Sequence, residues 1–390
     1  MAIEARGGAG QGTRVRLGMV GGGQGGFIGA VHRMAARLDG DFDLVAGAFS
    51  SDPERARQSG LELGVDPARC YDSFEAMATA EAARPDGIEA VSIVTPNHLH
   101  FPVARAFLKA GIHVICDKPL TSTLEDAEEL VKLGEASGRL FVLTHNYSAY
   151  PMVRQAREMI ASGELGTLRL VQVEYPQDWL TEPVEESGQK QAAWRTDPAR
   201  SGAGGCIGDI GTHAFQLATF VTQLAPSQVL ADLSTFVPGR RVDDNVNVLL
   251  RFAGGARGML WASQVAPGNE NGLRLRVYGD KGGLDWEQEN PNHLWFTPFG
   301  EPRRRLTRGG AGTGPAAAAV TRVPSGHPEG YLEAFATLYR EAAVAIRTAR
   351  DGGPVALPEY LPGLSDGLAG LRFIDACIRS SSAGGVWTEL

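Results

Sequence analysis

The chain has 390 residues, 43 % of them hydrophobic and 21 % charged, with a formal net charge of −8. That length suits two domains sharing a cleft and buries enough apolar surface to fold without a disulfide or metal staple. The acidic balance argues against nucleic acid or an anionic membrane as partner, which leaves a small solute. The 50 glycines fall in clusters without the three-residue period of collagen.

Residues Met1 to Gly12 are Gly-rich and lack the apolar centre of a secretory signal, and no later run is long enough to span a membrane. A cytoplasmic protein with a disordered tail over residues 1–13 is expected. Cys70, Cys116, Cys206 and Cys377 are scattered without a C-x-x-C pair, so reduced thiols are expected and no metal site.

The apolar run Val15 to Val20 reads as a buried parallel strand, followed at once by glycines and then by helical composition from Ala30 to Leu38. A strand from Phe42 to Phe49 and a helix from Asp52 come next. The alternation continues with strands at Ala90 to Val94, His113 to Cys116 and Leu140 to Thr144, and helices at Pro102 to Ala110 and Leu124 to Ala136. Such alternation predicts a doubly wound parallel sheet over residues 14–146. After a helix near Met152 to Ser162 the rhythm changes to strands at Leu168 to Tyr175, Gln228 to Phe236, Val246 to Phe252, Ala256 to Gln264 and Leu273 to Tyr278. Ala253-Gly254-Gly255 and Asp280-Lys281-Gly282-Gly283 read as hairpin turns. Residues 147–390 are therefore expected to form an α+β domain on an open, mainly antiparallel sheet. Arg308 to Ala319 reads as a mobile surface loop, and Pro328 to Arg350 as a helix.

Gly21-x-Gly23-x-x-Gly26 sits between a strand and a helix, where such a loop presents backbone N–H groups and a helix N-terminus to a pyrophosphate. Gln24, Phe27 and Ile28 belong to the same approach. Gly29-x-x-His32 repeats the spacing and predicts a loop three residues longer. The second strand ends at Ser50 and Ser51, where a carboxylate would favour NAD. Arg55 is placed to meet a 2′-phosphate or simply to face solvent, so NAD and NADP both stay open.

Thr95-Pro96-Asn97-His98-Leu99-His100 and Asp117-Lys118-Pro119 end successive strands, at the carboxyl edge where open α/β sheets bind ligands. Lys118 is placed to reach a substrate oxygen. Asp209 and His213, four apart in Gly204-Gly205-Cys206-Ile207-Gly208-Asp209-Ile210-Gly211-Thr212-His213, would share one helix face, the carboxylate orienting the imidazole.

Together these motifs resemble the glucose-fructose oxidoreductase/inositol dehydrogenase (Gfo/Idh/MocA) family of NAD(P)-dependent oxidoreductases. The sequence departs from it in having Asp117 where glutamate is usual. The resemblance implies a Rossmann domain, a catalytic set of Lys118, Asp209 and His213, and a cis Lys118–Pro119 bond. It makes Thr95, Asn97, His100, Asp117 and Asn146 cofactor contacts and Tyr147, Arg195 and His327 substrate contacts. It also implies a homo-oligomer, dimer or tetramer, formed through the open sheet. The expected activity interconverts a secondary alcohol and a ketone on a sugar, glycoside or cyclitol. Two alternatives stand beside it: glycoside cleavage by transient oxidation on tightly bound NAD, and a ligand sensor of the same fold without catalysis.

Overall fold

The computed structural model describes residues 14–390; the tail expected over 1–13 lies outside them. The first half alternates strand and helix: β1 (Val15–Gly21), α1 (Phe27–Leu38), β2 (Phe42–Ala48), α2 (Pro53–Glu62), α3 (Phe74–Ala82), β3 (Ala90–Val94), α4 (His100–Lys109), β4 (His113–Cys116), α5 (Leu124–Ser137) and β5 (Phe141–Leu143). The strands are parallel in the order β2-β1-β3-β4-β5. Every residue of β3 and β4 is buried, as expected where helices cover both faces. The chain reverses its direction of travel between β1 and β3, which opens a crevice at their carboxyl ends.

Helix α6 (Pro151–Ala161) leads to β6 (Leu168–Pro176), and the short α7 (Lys190–Arg195) and α8 (Pro198–Ser201) precede α9 (Thr212–Thr222). Then come β7 (Pro226–Ser234), β8 (Asn245–Phe252), β9 (Arg257–Ser263), β10 (Arg274–Gly279), β11 (Gly282–Glu287), β12 (His293–Pro298) and β13 (Arg304–Thr307). The chain closes with α10 (Pro315–Ala318), α11 (Tyr331–Arg350), α12 (Leu364–Ser382) and β14 (Thr388–Glu389). The second sheet has nine strands ordered β13-β12-β11-β10-β6-β9-β8-β7-β14. It is antiparallel except for the β6–β9 pair. The two expected hairpin turns join β8 to β9 and β10 to β11. Alternate residues of β6 and β8 face a core shared with α9, while the opposite face carries exposed Leu170, Leu249 and Met259. Helix α11 packs along α1, and α12 lies between α5 and β7, so the end of the chain ties the two sheets together.

Two expectations need correction. Helix α1 starts at Phe27, so the glycine loop is not three residues longer. Gly29 lies in its first turn, where a Cβ would fall 2.3 Å from Gly22 Cα, and His32 is a buried helix residue. The stretch from Arg308 is not a free loop. The buried Arg308 guanidinium pairs with Glu329 at 2.8 Å, the Gly314 N–H donates to Gln155 at 2.7 Å, and α10 packs on α6. Alternation and glycine content carry no signal of those long-range partners. The late helix begins at Tyr331, after Pro328 and two further residues outside it.

Candidate active site

A cleft of about 840 Å³ runs from the glycine loop, past the ends of β2 and β3, to Lys118 and Asp209. Its size falls within the range of ligand cavities. At one end the backbone is built for close approach. Gly21 and Gly22 have φ of 81° and 68°, and a Cβ on Gly23 would meet the Phe49 carbonyl at 2.7 Å. Helix α1 has no side-chain cap and no acidic residue in its first turn, so its N–H groups and positive end are left for an anion. Gln24, Gly26, Phe27 and Ile28 line this end, with Ser50, Ser51 and Arg55 at the tip of β2. The Ser50 hydroxyl accepts the Asp52 N–H at 3.1 Å, and Asp52 caps α2. No carboxylate stands at Ser50 or Ser51. Glycine backbone, open helix end and cleft volume together fit a nicotinamide dinucleotide.

At the other end, Lys118 follows β4 and its peptide bond to Pro119 is cis. Its Nζ donates to the Asp209 carbonyl at 2.6 Å and to Asp209 Oδ1 at 3.0 Å. Asp209 Oδ2 accepts from Gln264 Nε2 at 2.9 Å and lies 3.3 Å from Arg195 Nε. Burial opposes ionisation of Asp209, but Lys118 and Arg195 outweigh it and hold the carboxyl well below its ordinary range.

Asp209 sits in a π-helical turn, Ile207–Gly211, directly before α9. The extra residue in that turn shifts Asp209 relative to the face an α-helix would give it. The expected Asp209–His213 bond is therefore not made, and the carboxylate goes to Lys118, Gln264 and Arg195. His213 is buried, and its Nδ1 has no partner among the described residues. Aromatic edges hold the ring instead: Tyr147 at 4.9 Å, His145 at 5.7 Å and Tyr175 at 6.2 Å between centroids. Burial first, then Lys118 and His145, push His213 well below the ordinary imidazole value. A neutral imidazole beside a cationic amine can accept a proton from a hydroxyl that the amine polarises.

The remaining expected contacts divide. Thr95, Asn97, Asp117 and Arg195 line the cleft, although Asn97 Nδ2 donates to the Ser201 carbonyl at 3.0 Å. His100 is buried, with Nδ1 at 2.7 Å from the Pro119 carbonyl and Nε2 at 3.0 Å from the Thr95 carbonyl. A neutral ring donates from only one of these nitrogens, and its place between the two carbonyls lets His100 brace the Lys118–Pro119 turn. Asn146 is buried with Nδ2 unpartnered, and the Tyr147 hydroxyl pairs with that of Tyr175 at 2.6 Å. His327 is exposed on the turn before α11, its carbonyl taken by Arg308, and does not join the residues around His213. Tyr331 is half-buried near Tyr147 and Arg195. Among the described residues no cluster suits a metal ion.

Sequence reading misses the residues that fix this end. Asp243 accepts the Gly205 N–H at 2.6 Å and the Ile207 N–H at 2.8 Å, anchoring the π turn from another strand end; burial pushes its carboxyl up to about 6. Gln264, His145 and Tyr175 come from separate elements and carry no local motif. For Asp243 the one available signal is its place in a polar pair immediately before an apolar strand.

Residues 15–145 match a family model described as an oxidoreductase family with an NAD-binding Rossmann fold, and residues 153–285 match a GFO/IDH/MocA C-terminal domain. The structure is similar to that of an oxidoreductase from Sinorhizobium meliloti, with 57 % identity, a TM-score of 0.88 and coverage of 97 % of this chain and 100 % of that one. It is also similar to an inositol dehydrogenase homolog from Azotobacter vinelandii complexed with NADH and myo-inositol, at 39 % identity, TM-score 0.90 and coverage of 97 % and 98 %. A levoglucosan dehydrogenase from Pseudarthrobacter phenanthrenivorans is 27 % identical over 96 % of this chain and 98 % of its own. With its glycine cradle, its Lys118 turn and its second sheet, the chain belongs to the GFO/IDH/MocA family of NAD(P)-dependent oxidoreductases.

Proposed function

We propose that this enzyme interconverts a secondary alcohol and a ketone on a cyclitol or sugar, with Lys118, Asp209 and His213 as its working set. The observation that carries the reading is the Lys118 ammonium, fixed by two bonds to Asp209 at the end of a dinucleotide-sized cleft, with the buried His213 on the helix that directly follows the Asp209 turn. Relatives named for inositol and levoglucosan support a polyhydroxylated ring as substrate.

In the oxidative direction Lys118 donates to the substrate oxygen and His213 takes the hydroxyl proton. Asp209 holds the ammonium in place, and Arg195 and Gln264 hold Asp209. When bound, the nicotinamide supplies the hydride acceptor, or the donor in reverse. Tyr147 and Tyr175 wall the imidazole and exclude water from it. Gly21, Gly23 and Gly26 receive the pyrophosphate, while Ser50 and Ser51 leave room for NAD or NADP.

We further read the enzyme as cytoplasmic and homo-oligomeric. The four cysteines are free, and no helix among the described residues is long and apolar enough to cross a membrane. The outer face of the second sheet brings Leu249 beside Met259 in register, an apolar surface suited to a second copy. A panel of cyclitols, sugars and glycosides with each cofactor tests the activity: appearance of reduced nicotinamide is expected, and none with any pair rejects the reading.

A further inference from the structure

Asp117 stands at the end of β4 beside Lys118 and lines the cleft. Behind it lies a buried polar cluster that the proton chemistry does not use. Tyr339, on α11, has its hydroxyl 2.8 Å from His32 Nδ1 and 2.9 Å from the Ser92 hydroxyl; Ser92 is itself 3.2 Å from the same nitrogen. A hydroxyl donating to Nδ1 leaves the ring proton on Nε2, which lies 3.8 Å from Asp117 Oδ1. The Thr144 hydroxyl donates to the same Oδ1 at 3.0 Å. Only the Thr144 contact is a hydrogen bond, so Oδ1 is bonded from one side, with His32 Nε2 nearby and without a hydrogen-bond partner among the described residues, and the side chain is 16 % exposed where it lines the cleft.

Burial opposes the charge on Asp117, but His32, Lys118 and His100 outweigh it and keep the carboxyl well below its usual range. Asp117 thus sets a carboxylate directly beside Lys118, at the end of the cleft where hydride is exchanged with the substrate. Oxidised nicotinamide is a cation and its reduced form is neutral. A fixed anion in a partly desolvated cleft distinguishes these two states, and the preference survives salt better than one between exposed charges.

We propose that Asp117 is a specificity-determining residue for the redox state of the cofactor, favouring the oxidised over the reduced dinucleotide and so lowering the potential of the bound couple. Its opposite would be a carboxylate that only hydrogen-bonds a ribose or carboxamide, groups both redox forms share. The inference rests on the oxidoreductase reading above and concerns binding, so it can be measured without turnover.

The test is the ratio of dissociation constants for oxidised and reduced dinucleotide, measured on the full chain by titration calorimetry and by fluorescence of the reduced form. In Asp117→Asn the oxidised form is expected to bind about tenfold more weakly and the reduced form within about twofold of wild type. That shift raises the bound potential by about 30 mV for a two-electron couple. Asp117→Glu, which restores the charge, keeps the wild-type preference. Asp117→Ser, smaller and uncharged, gives the same contrast where the amide variant does not fold. Equal changes for both redox forms in the uncharged variants overturn the proposal and leave Asp117 a shared hydrogen-bond acceptor. A wild-type protein that binds neither form instead rejects the oxidoreductase reading itself.

Discussion

Lys118 and Asp209 join the two halves of the molecule. The ammonium from the end of the parallel sheet donates to both the carbonyl and the carboxylate of a residue in the π turn before α9, at 2.6 and 3.0 Å. Lys118→Met removes the charge and both bonds. It is expected to lower kcat by about 10²- to 10⁴-fold, the usual weight of a general acid–base group. Cofactor affinity, read by fluorescence titration, should stay within a few-fold of wild type; a parallel loss of binding would assign Lys118 to cofactor retention.

His213 is the expected base, and its environment makes a statement about pH. Burial, Lys118 and His145 all disfavour its cation, so it stays neutral below the ordinary imidazole value of about 6.5. The acid limb of kcat/KM for oxidation should begin to fall only below that range. A limb centred near 6.5 would contradict the neutral, caged imidazole. His213→Asn should cost about 10²- to 10⁴-fold in kcat.

Stability gives a separate check through His113. Burial first, then Arg139, lowers its value to about 4, and its Nδ1 accepts the Leu140 N–H at 2.9 Å, which requires a neutral ring. A depressed histidine contributes stability that is complete above its unfolded value and is lost as pH falls from there toward 4. The loss across that window is at most about 3 kcal/mol. Thermal midpoints between pH 7 and 4 should fall more steeply in wild type than in His113→Asn; equal slopes would remove His113 from the acid response.

At the cradle, Gly23→Val puts a Cβ within 2.7 Å of the Phe49 carbonyl and 2.8 Å of Ser59 Oγ. The backbone must move away from the pyrophosphate, and affinity for NAD and NADP should both fall by at least about tenfold. Unchanged titrations would place the pyrophosphate elsewhere.

Ser50→Asp addresses the other end of the dinucleotide. A carboxylate there repels a 2′-phosphate and accepts from ribose hydroxyls, so NADP binding should weaken by about tenfold or more with NAD binding kept. Equal effects on both would separate Ser50 from the ribose.

The alternation of strands and helices and the glycine loop made the first half legible, because both signals are local. It is the family resemblance of their motifs that groups Lys118, Asp209 and His213 into one site, since Lys118 and Asp209 are far apart in sequence. What stayed hidden depends on partners far away in sequence. The π turn moved Asp209 off the helix face assumed for it, so that it holds Lys118 and not His213. His100 looked like a ligand contact and braces the Pro119 carbonyl. Arg308 looked like loop composition, and its buried pairing with Glu329 ties that stretch down. Only the tertiary contacts decide such cases.

The most direct test of the account follows hydride itself. A cyclitol or sugar that the activity panel identifies, deuterated at the reacting carbinol carbon, is turned over by the wild-type enzyme with oxidised cofactor, and the label is located by mass spectrometry. One deuterium per turnover is expected on the nicotinamide, with the rate lost in Lys118→Met and His213→Asn. Deuterium released to water, or turnover undiminished in both variants, would contradict it.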